Sequence, residues 1–199
     1  MPTFDDFIFS NETTKKLKFF VDNPQKMPKV VCFYGQYGTG KTSFAKYFAS
    51  NFAYNKLYID AANDSLKEIV DKFTSFVVTK HLYFEHDERP ISKVLIIDEI
   101  HNLRKNDFDK LKIPFEKYTE NGNVKFILCA NCEAGKNIRE TLTQAIYSRT
   151  HPVSFDIQKY ELGEIVEKAK LKYTHLTERE IRNTLPDFRT LKRKNEMKK

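Results

Sequence analysis

GQYGTGKT, residues 35–42, is the most informative stretch of this chain. It matches G-x-x-x-x-G-K-[ST], the pattern of a loop that wraps the phosphates of a nucleotide. The glycines let backbone N–H groups approach the β-phosphate, the lysine reaches the β- and γ-phosphate oxygens, and the threonine hydroxyl binds Mg²⁺. The predicted nucleotide-binding residues are Gly35, Gln36, Tyr37, Gly38, Thr39, Gly40, Lys41, Thr42 and Ser43.

The residues on either side of this loop have the patterns of a strand and a helix. Residues 29–34 form an apolar run that is typical of a buried parallel strand. Residues 43–52 place four aromatic side chains on one helical face: Phe44, Tyr47, Phe48 and Phe52. A phosphate-binding loop requires this order of strand, glycine-rich loop and helix. A simple turn between two core elements is therefore the less favoured interpretation.

Length and composition limit what can be built around the loop. The chain has 199 residues, including 17 Phe and 10 Tyr, which is enough for one large core with a small satellite. No apolar run is long enough to cross a bilayer, and the first ten residues lack the pattern of a secretion signal. We therefore expect a cytoplasmic protein without membrane contact.

Three cysteines, an odd number, argue against a disulfide framework. Cys129 and Cys132 form a C-x-x-C pair, but a zinc site would need two further ligands at suitable spacing. We expect Cys129 to lie in the core and Cys132 in a loop.

Much of the net charge of +7 is concentrated near the C-terminus, where residues 189–199 hold six basic groups against Glu196. Such a segment suggests affinity for nucleic acid, although a basic terminus is often only solvated.

Beyond the loop, predicted strands and helices alternate. Further strands are predicted at residues 57–60, 94–97, 125–130 and 153–155, and helices at 11–22, 66–77 and 108–118, the last interrupted near Pro114. Residues 81–90 are predicted to form a polar connection. Alternation of helices with continuous apolar strands predicts an α/β fold with a parallel sheet covered on both faces.

From about residue 157 the pattern changes to helices alone. Thr177 and Glu180 form a predicted capping box for one of these helices. We therefore predict three parts: a nucleotide-binding core at residues 1–156, a short all-helical lid at 157–189, and a basic C-terminal tail at 190–199.

A second motif, VLIIDE at residues 94–99, indicates hydrolysis. Asp98 would hold Mg²⁺ through water at the carboxyl end of its strand, with Thr42 as the other metal residue. Glu99 would activate the water that attacks the γ-phosphate. The predicted cofactors are ATP and Mg²⁺. The D-E-x-H pattern at residues 98–101 also fits some helicases, but those enzymes need two such sheet domains.

Two further polar residues are candidates for catalysis. Asn131 follows the predicted fourth strand, where its amide could contact the γ-phosphate or hold the attacking water. Arg149 precedes the last strand and could supply charge to the phosphate of a neighbouring subunit. Taken alone, an asparagine after a strand is most often a turn former, and a surface arginine is usually solvated.

Taken in order, these motifs resemble an AAA+ ATPase, and their details resemble its clamp-loader branch. The resemblance is greatest to the large, ATP-hydrolysing subunit of sliding-clamp loaders from large tailed phages, and it runs from about residue 4 to residue 189. Asn131 matches the sensor-1 position, and Ser148-Arg149-Thr150 resembles the Ser-Arg-Cys arginine-finger motif. Residues 186–189, Pro-Asp-Phe-Arg, resemble the sensor-2 segment.

The resemblance implies a ring or spiral in which ATP lies between subunits of a homo- or hetero-oligomer. One subunit would supply Lys41, Thr42, Asp98, Glu99 and Asn131, and its neighbour would supply Arg149. Arg189 would close the lid on the γ-phosphate of its own subunit. The implied partners are a sliding clamp and primer–template DNA contacted without base reading, in the host cytoplasm if the protein is viral.

Three features depart from the clamp-loader pattern. Thr150 replaces the usual cysteine, His101 stands where an acid is usual, and no helical collar follows Arg189. The last feature favours a helicase loader as an alternative, and a non-enzymatic nucleotide-binding module is a third hypothesis. Candidate DNA contacts, or else parts of an ordinary solvated face, are Arg104, Lys105, Lys136, Arg139 and the basic tail.

Overall fold

The computed structural model describes residues 3–79, 89–104, 106–108, 110, 111, 115, 124–133 and 136–198. Its strands are β1 (Val30–Gly35), β2 (Ala53–Asp60), β3 (Ile91–Asp98), β4 (Val124–Asn131) and β5 (His151–Ser154). Its main helices are α1 (Asn11–Asp22), α2 (Lys41–Phe52), α3 (Leu66–Val78), α4 (Gln144–Tyr147), α5 (Leu162–Lys172), α6 (Glu178–Thr184) and α7 (Phe188–Glu196). Short 3₁₀ turns lie at Phe4–Asp6, Pro24–Lys26, Ile100–Asn102, Ile138–Glu140 and Lys159–Glu161.

The strands form one sheet in the order β2-β3-β4-β1-β5, and every pair is parallel. The predicted parallel α/β fold is confirmed. The pairing of β3 with β4 brings the carboxyl ends of these two strands together, and β1 ends beside Asn131 of β4. Since every strand runs in the same direction, the loops that carry the predicted site residues meet at one edge of the sheet.

Hydrophobic cores cover both faces of the sheet. On one face Phe73 of α3 stacks on Phe126 of β4 with ring centroids 5.2 Å apart, and Phe115 contacts both rings. On the other face Phe44 of α2 is fully buried and contacts the ring of Phe9. The described residues of the predicted helix at 108–118 are helical and include buried Phe108, Leu111 and Phe115, and the rest of it lies outside the described residues. Most of the connection predicted at 81–90 also lies outside them.

The C-terminal helices α5, α6 and α7 share a separate core that includes Ile165, Ile181 and Leu191. The predicted capping box of Thr177 and Glu180 is confirmed at the start of α6. The predicted boundary between lid and tail, after Arg189, falls inside α7. This helix continues because Leu191 is fully buried in the lid core and the side-chain oxygen of Asn195 accepts a hydrogen bond from the backbone of His175.

The cysteine thiols of the described chain are free and buried. Burial raises the pKa of Cys32, Cys129 and Cys132, which keeps the thiols protonated at neutral pH. None of the helices in the described ranges is both long and apolar enough to cross a membrane.

Candidate active site

A cavity of about 730 Å³ lies between the phosphate loop, the carboxyl edge of the sheet and the lid. This volume is within the range of small-molecule sites. Residues 37–43 of the loop line it, together with Glu99, Asn131 and, from the lid, Arg189. Phe7 and Phe9 of the N-terminal segment line another part of the wall. The structure therefore brings most of the predicted site residues around one space.

The phosphate loop is fixed to Asp156, the second residue after β5. The N–H of Gln36 donates to the Asp156 carboxylate at 2.8 Å. Gly35 has a φ of 141°, and a Cβ there would lie only 2.8 Å from the same carboxylate oxygen. Glycine is thus required where the loop leaves β1, because the chain passes too close to Asp156 for a side chain. Sequence reasoning missed Asp156, since no local motif points to it.

The Lys41 ammonium is held inside the loop. It donates to the backbone oxygens of Gly35 at 2.9 Å and Gln36 at 2.6 Å, and it lies 3.4 Å from the Thr39 hydroxyl. Burial lowers the pKa of Lys41, and nearby anionic groups oppose this shift. A phosphate entering the loop would offer the ammonium anionic acceptors in place of neutral carbonyl groups, which are weaker partners.

Asp98 is oriented by hydrogen bonds to both of its carboxylate oxygens. The Thr42 hydroxyl donates to Oδ1 at 3.0 Å, and the Tyr58 hydroxyl donates to Oδ2 at 2.8 Å. Mg²⁺ prefers such hydroxyl and carboxylate oxygens, usually one or two carboxylates with waters and substrate phosphates. Thr42 and Asp98 therefore fit a Mg²⁺ site. Sequence reasoning missed Tyr58, whose pKa is raised by burial and by its bond to Asp98.

Glu99 and Asn131 lie side by side at the ends of β3 and β4. The Asn131 amide donates to Oε2 of Glu99 at 2.9 Å. Glu99 itself adopts a left-handed backbone conformation, with a φ of 54°, where the chain turns out of β3. Both side chains line the cavity, so a carboxylate that can accept a proton and an amide that can donate face the same space.

The lid is attached directly to the phosphate loop. The N–H of Phe188, at the start of α7, donates to the backbone oxygen of Gly38 at 3.0 Å. Arg189 donates to the Tyr37 hydroxyl at 2.6 Å, and its guanidinium lies 4.9 Å from the centre of the Tyr37 ring. Arg189 thus faces the cavity from the lid while it is held by a loop side chain.

Arg149 lies apart from this cavity, before the edge strand β5. It is exposed, and its guanidinium donates to the backbone oxygen of Ala145 at 2.6 Å. Among the residues that the structure describes, those lining the cavity come from the phosphate loop, the N-terminal segment, the ends of β3 and β4, and the lid. Within one chain, Arg149 is therefore not brought together with the other predicted catalytic residues.

The candidate DNA contacts Arg104, Lys136 and Arg139 are all exposed. Lys136 pairs with Glu133 at 2.7 Å, and the Arg139 guanidinium lies 4.8 Å from the centre of the Tyr147 ring. Lys105 lies outside the described residues.

The fold is similar to that of solved AAA+ structures. The Holliday junction branch migration motor RuvB of Thermotoga maritima superposes with a TM-score of 0.54 at 20% identity, over 83% of this chain and 52% of that one. A variant of the same protein gives 0.56 at 21% identity, over 86% and 55%. The chain thus spans about half the length of the solved chains it matches. No curated protein sequence matches the chain.

The structural similarities at this low identity show only the fold. A match to a family model shows the family. The model of the "ATPase family associated with various cellular activities (AAA)" matches residues 31–155. This range begins in β1 and ends just after β5, so it includes the phosphate loop, Asp98, Glu99 and Asn131. The chain therefore belongs to the ATPase family associated with various cellular activities (AAA).

Proposed function

We propose that this ATPase is the ATP-hydrolysing subunit of a DNA sliding-clamp loader. It would use ATP at subunit interfaces to open a clamp and load it on primer–template DNA during replication. The observation that carries the proposal is the location of Arg149, exposed before the edge strand β5 and apart from the cavity of its own chain. An arginine at such a position can complete the site of a neighbouring copy.

The residues around the cavity have separate roles in hydrolysis. Lys41 would bind the β- and γ-phosphates, and Thr42 and Asp98 would hold Mg²⁺, which would supply charge neutralisation there. Glu99 orients the attacking water and accepts its proton, while Asn131 holds the Glu99 carboxylate in place. Arg189 contacts the γ-phosphate from the lid once it leaves Tyr37. Arg149 of the neighbouring copy stabilises the charge that develops in the transition state.

Two observations support a function of this protein on DNA. The structurally similar RuvB is a Holliday junction branch migration motor, so this fold is used by a protein that acts on DNA. Arg104 and Arg139 are exposed basic side chains in the loops that follow β3 and β4. At these positions they can contact phosphates without reading bases.

The likeness to RuvB also favours a second candidate, an ATPase that remodels another replication substrate, such as a helicase loader. The two candidates differ in what stimulates turnover. A clamp loader responds to a sliding clamp together with primed DNA, whereas a helicase loader responds to its helicase.

The test is steady-state ATP hydrolysis by the purified protein, alone, with primer–template DNA, and with DNA plus a candidate clamp from the same source. We expect stimulation by DNA and clamp that the Arg149→Ala variant loses, because an arginine finger contributes roughly 10³–10⁵ in rate. Arg179→Ala, which removes an exposed arginine from α6, is the matched control and should respond like the wild type. Turnover indifferent to DNA and clamp in every combination would contradict the proposal.

A further inference from the structure

Both ring nitrogens of His101 contact residues of the active site. Nδ1 accepts a hydrogen bond from the backbone N–H of Asn131 at 3.1 Å, and Nε2 lies 3.3 Å from Oε2 of Glu99. The same Oε2 accepts the bond from the Asn131 amide. Two hydrogen bonds and this 3.3 Å contact thus link the three residues across the ends of β3 and β4.

The partners determine where the imidazole carries its hydrogen. A backbone N–H can only donate, so Nδ1 must be the bare nitrogen that accepts. A carboxylate can only accept, so Nε2 must carry the hydrogen. Neutral imidazole has one nitrogen of each kind, and a protonated ring would have no nitrogen left to accept from Asn131. The geometry therefore corresponds to the neutral Nε2–H tautomer.

Glu99 needs such a partner more than an ordinary surface glutamate does. Its backbone is left-handed, a conformation that a non-glycine residue rarely adopts, and its side chain is one-third exposed. A long side chain in that setting loses rotamer entropy when it is held in one position. Two donors on one carboxylate oxygen, the amide of Asn131 and the imidazole of His101, oppose this loss.

His101 acts on the cavity only through these neighbours. Glu99 and Asn131 line the cavity, whereas His101, itself a described residue, does not. A group in this arrangement can set the position of the Glu99 carboxylate without itself lining the cavity.

We propose that His101, as the neutral Nε2–H tautomer, is a positioning residue that holds the Glu99 carboxylate against Asn131 for hydrolysis. The inference rests on the part of the proposed function that assigns Glu99 to the attacking water. It gives the histidine of the D-E-x-H sequence a role within the AAA domain itself.

Three substitutions of His101 distinguish the effect of its contact with Glu99 from the effect of its hydrogen bond with Asn131. The amide of His101→Gln reaches the place of Nε2 and keeps a donor for Glu99. The side-chain oxygen of His101→Asn takes the place of Nδ1 and keeps the acceptor for Asn131, but it does not reach Glu99. His101→Ala keeps neither. The measurements are kcat for ATP hydrolysis and the Kd of a fluorescent ATP analogue.

We expect kcat to fall roughly 10- to 100-fold in His101→Asn and His101→Ala, the range for losing a hydrogen bond to a charged group. His101→Gln should keep most of the wild-type kcat, and the Kd should be unchanged in all three variants. Equal losses in the three variants, a Kd that rises in parallel with the fall in kcat, or a higher kcat in His101→Ala would overturn the proposal.

A measurement on the unmodified protein keeps the proposal testable if a variant fails to fold. Long-range ¹H–¹⁵N spectra of the imidazole side chains report which ring nitrogen carries hydrogen, and the His101 signals are assigned by their absence in His101→Gln or in whichever variant folds. We expect an unprotonated Nδ1 and a protonated Nε2 at neutral pH. An Nδ1–H tautomer, or a mixture of the two, would overturn the proposal.

The Glu99→Gln variant distinguishes a failure of this inference from a failure of the proposed function. If that variant hydrolyses ATP like the wild type, the assignment of Glu99 itself is wrong. If it is inactive while the His101 variants do not rank as expected, the assignment of Glu99 stands and the role of His101 is refuted.

Discussion

Two acidic side chains of this site, Asp98 and Glu99, are oriented by neutral hydrogen-bond donors. Asp98 receives hydroxyl hydrogens from Thr42 and Tyr58, and Glu99 receives the amide of Asn131. Such partners limit the positions that a carboxylate can take before a ligand arrives. These hydrogen bonds therefore hold both carboxylates in defined orientations.

Tyr58→Phe tests whether this orientation matters for the metal. The variant keeps the ring but loses the hydroxyl that donates to Asp98 at 2.8 Å. Because partners of metal ligands typically contribute 10- to 100-fold in metal affinity or activity, we expect about 10-fold more Mg²⁺ to be needed for half-maximal binding of a fluorescent ATP analogue. The binding titration against Mg²⁺ concentration gives this value directly.

Tyr160→Phe is the matched control, because it removes a hydroxyl from a tyrosine that is 82% exposed. It should leave the Mg²⁺ dependence unchanged. A Tyr58→Phe protein with the Mg²⁺ requirement of the wild type would show that Thr42 and the backbone N–H of Glu99 hold Asp98 well enough without the tyrosine.

The sequence predicted the residues that stand inside a recognisable local pattern, such as Lys41, Thr42 and Asp98. Tyr58 and Asp156 were not predicted because strand pairing brings them to the site. Tyr58 reaches Asp98 since β2 pairs with β3, and Asp156 reaches Gln36 since β5 pairs with β1. A pairing register is a long-range property that no short motif contains.

The start of α7 is attached to the phosphate loop through the N–H of Phe188, which donates to the backbone oxygen of Gly38. Gly38 has a φ of 77°, and a Cβ there would lie 2.3 Å from the Asp187 carboxylate. Asp187 in turn caps α7 through the backbone N–H of Thr190. The close approach of loop and helix therefore depends on the missing side chain of Gly38.

Gly38→Ala should detach the lid from the loop. The added methyl group collides with Asp187 and also disfavours the positive φ, so we expect weaker ATP binding and faster amide hydrogen exchange in α7. Hydrogen exchange measured by mass spectrometry, with and without ATP, checks this expectation.

Gly163→Ala, within α5, provides the control, because a Cβ at Gly163 meets nothing within 4 Å. It should stabilise the protein by about 0.5–1 kcal/mol and leave ATP binding unchanged. If the amides of α7 exchanged at the wild-type rate in Gly38→Ala, the contact between lid and loop would not stabilise α7.

The helical lid also contains a carboxylate with a low pKa. A hydrogen bond from Lys198 and two from Thr177 lower the pKa of Glu180 from 4.5 to about 2. Because the folded-state pKa is the lower one, these contacts stabilise the lid above pH 4.5, and the stabilisation is lost as the pH falls towards 2.

Lys198→Gln should raise the pKa of Glu180 towards 4.5, since Lys198 is the largest cause of the shift. Carboxyl ¹³C NMR followed through an acid titration measures this pKa. Lys194→Gln is the control, because Lys194 donates to Thr184 and not to Glu180. Equal pKa values for Glu180 in the two variants would contradict the assigned cause.

The bounds of elements were predicted well where apolar periodicity continues to the end of the element. Helix α1 begins and ends at the predicted residues, 11 and 22. Strand β2 begins at Ala53, four residues before the predicted start, and β3 begins at Ile91, three residues before. The missed parts contain polar residues such as Asn55 and Lys93, which pair with each other in the sheet. Backbone pairing extends the strands through these polar positions to Ala53 and Ile91, which pair with each other and are fully buried.

For the whole molecule, the family resemblance predicted the architecture, and the family match confirms that this is an AAA domain. The clamp-loader function remains a proposal that depends on assembly. In one chain, the phosphate loop, the strand ends and the lid form the cavity. Arg149 of the same chain is exposed and lies apart from it. Each copy carries both parts, so the proposed shared site needs no arginine from a different chain.

Mixing two inactive variants tests the shared site most directly. Arg149→Ala keeps its own cavity but has no arginine to offer, whereas Glu99→Gln offers Arg149 but cannot hydrolyse ATP. In a mixture, some interfaces combine an intact Glu99 with an intact Arg149. We predict that each variant alone is nearly inactive, even with DNA and clamp, and that the mixture recovers steady-state ATP hydrolysis. A mixture as inactive as its components would contradict a site completed by Arg149 of a neighbouring copy.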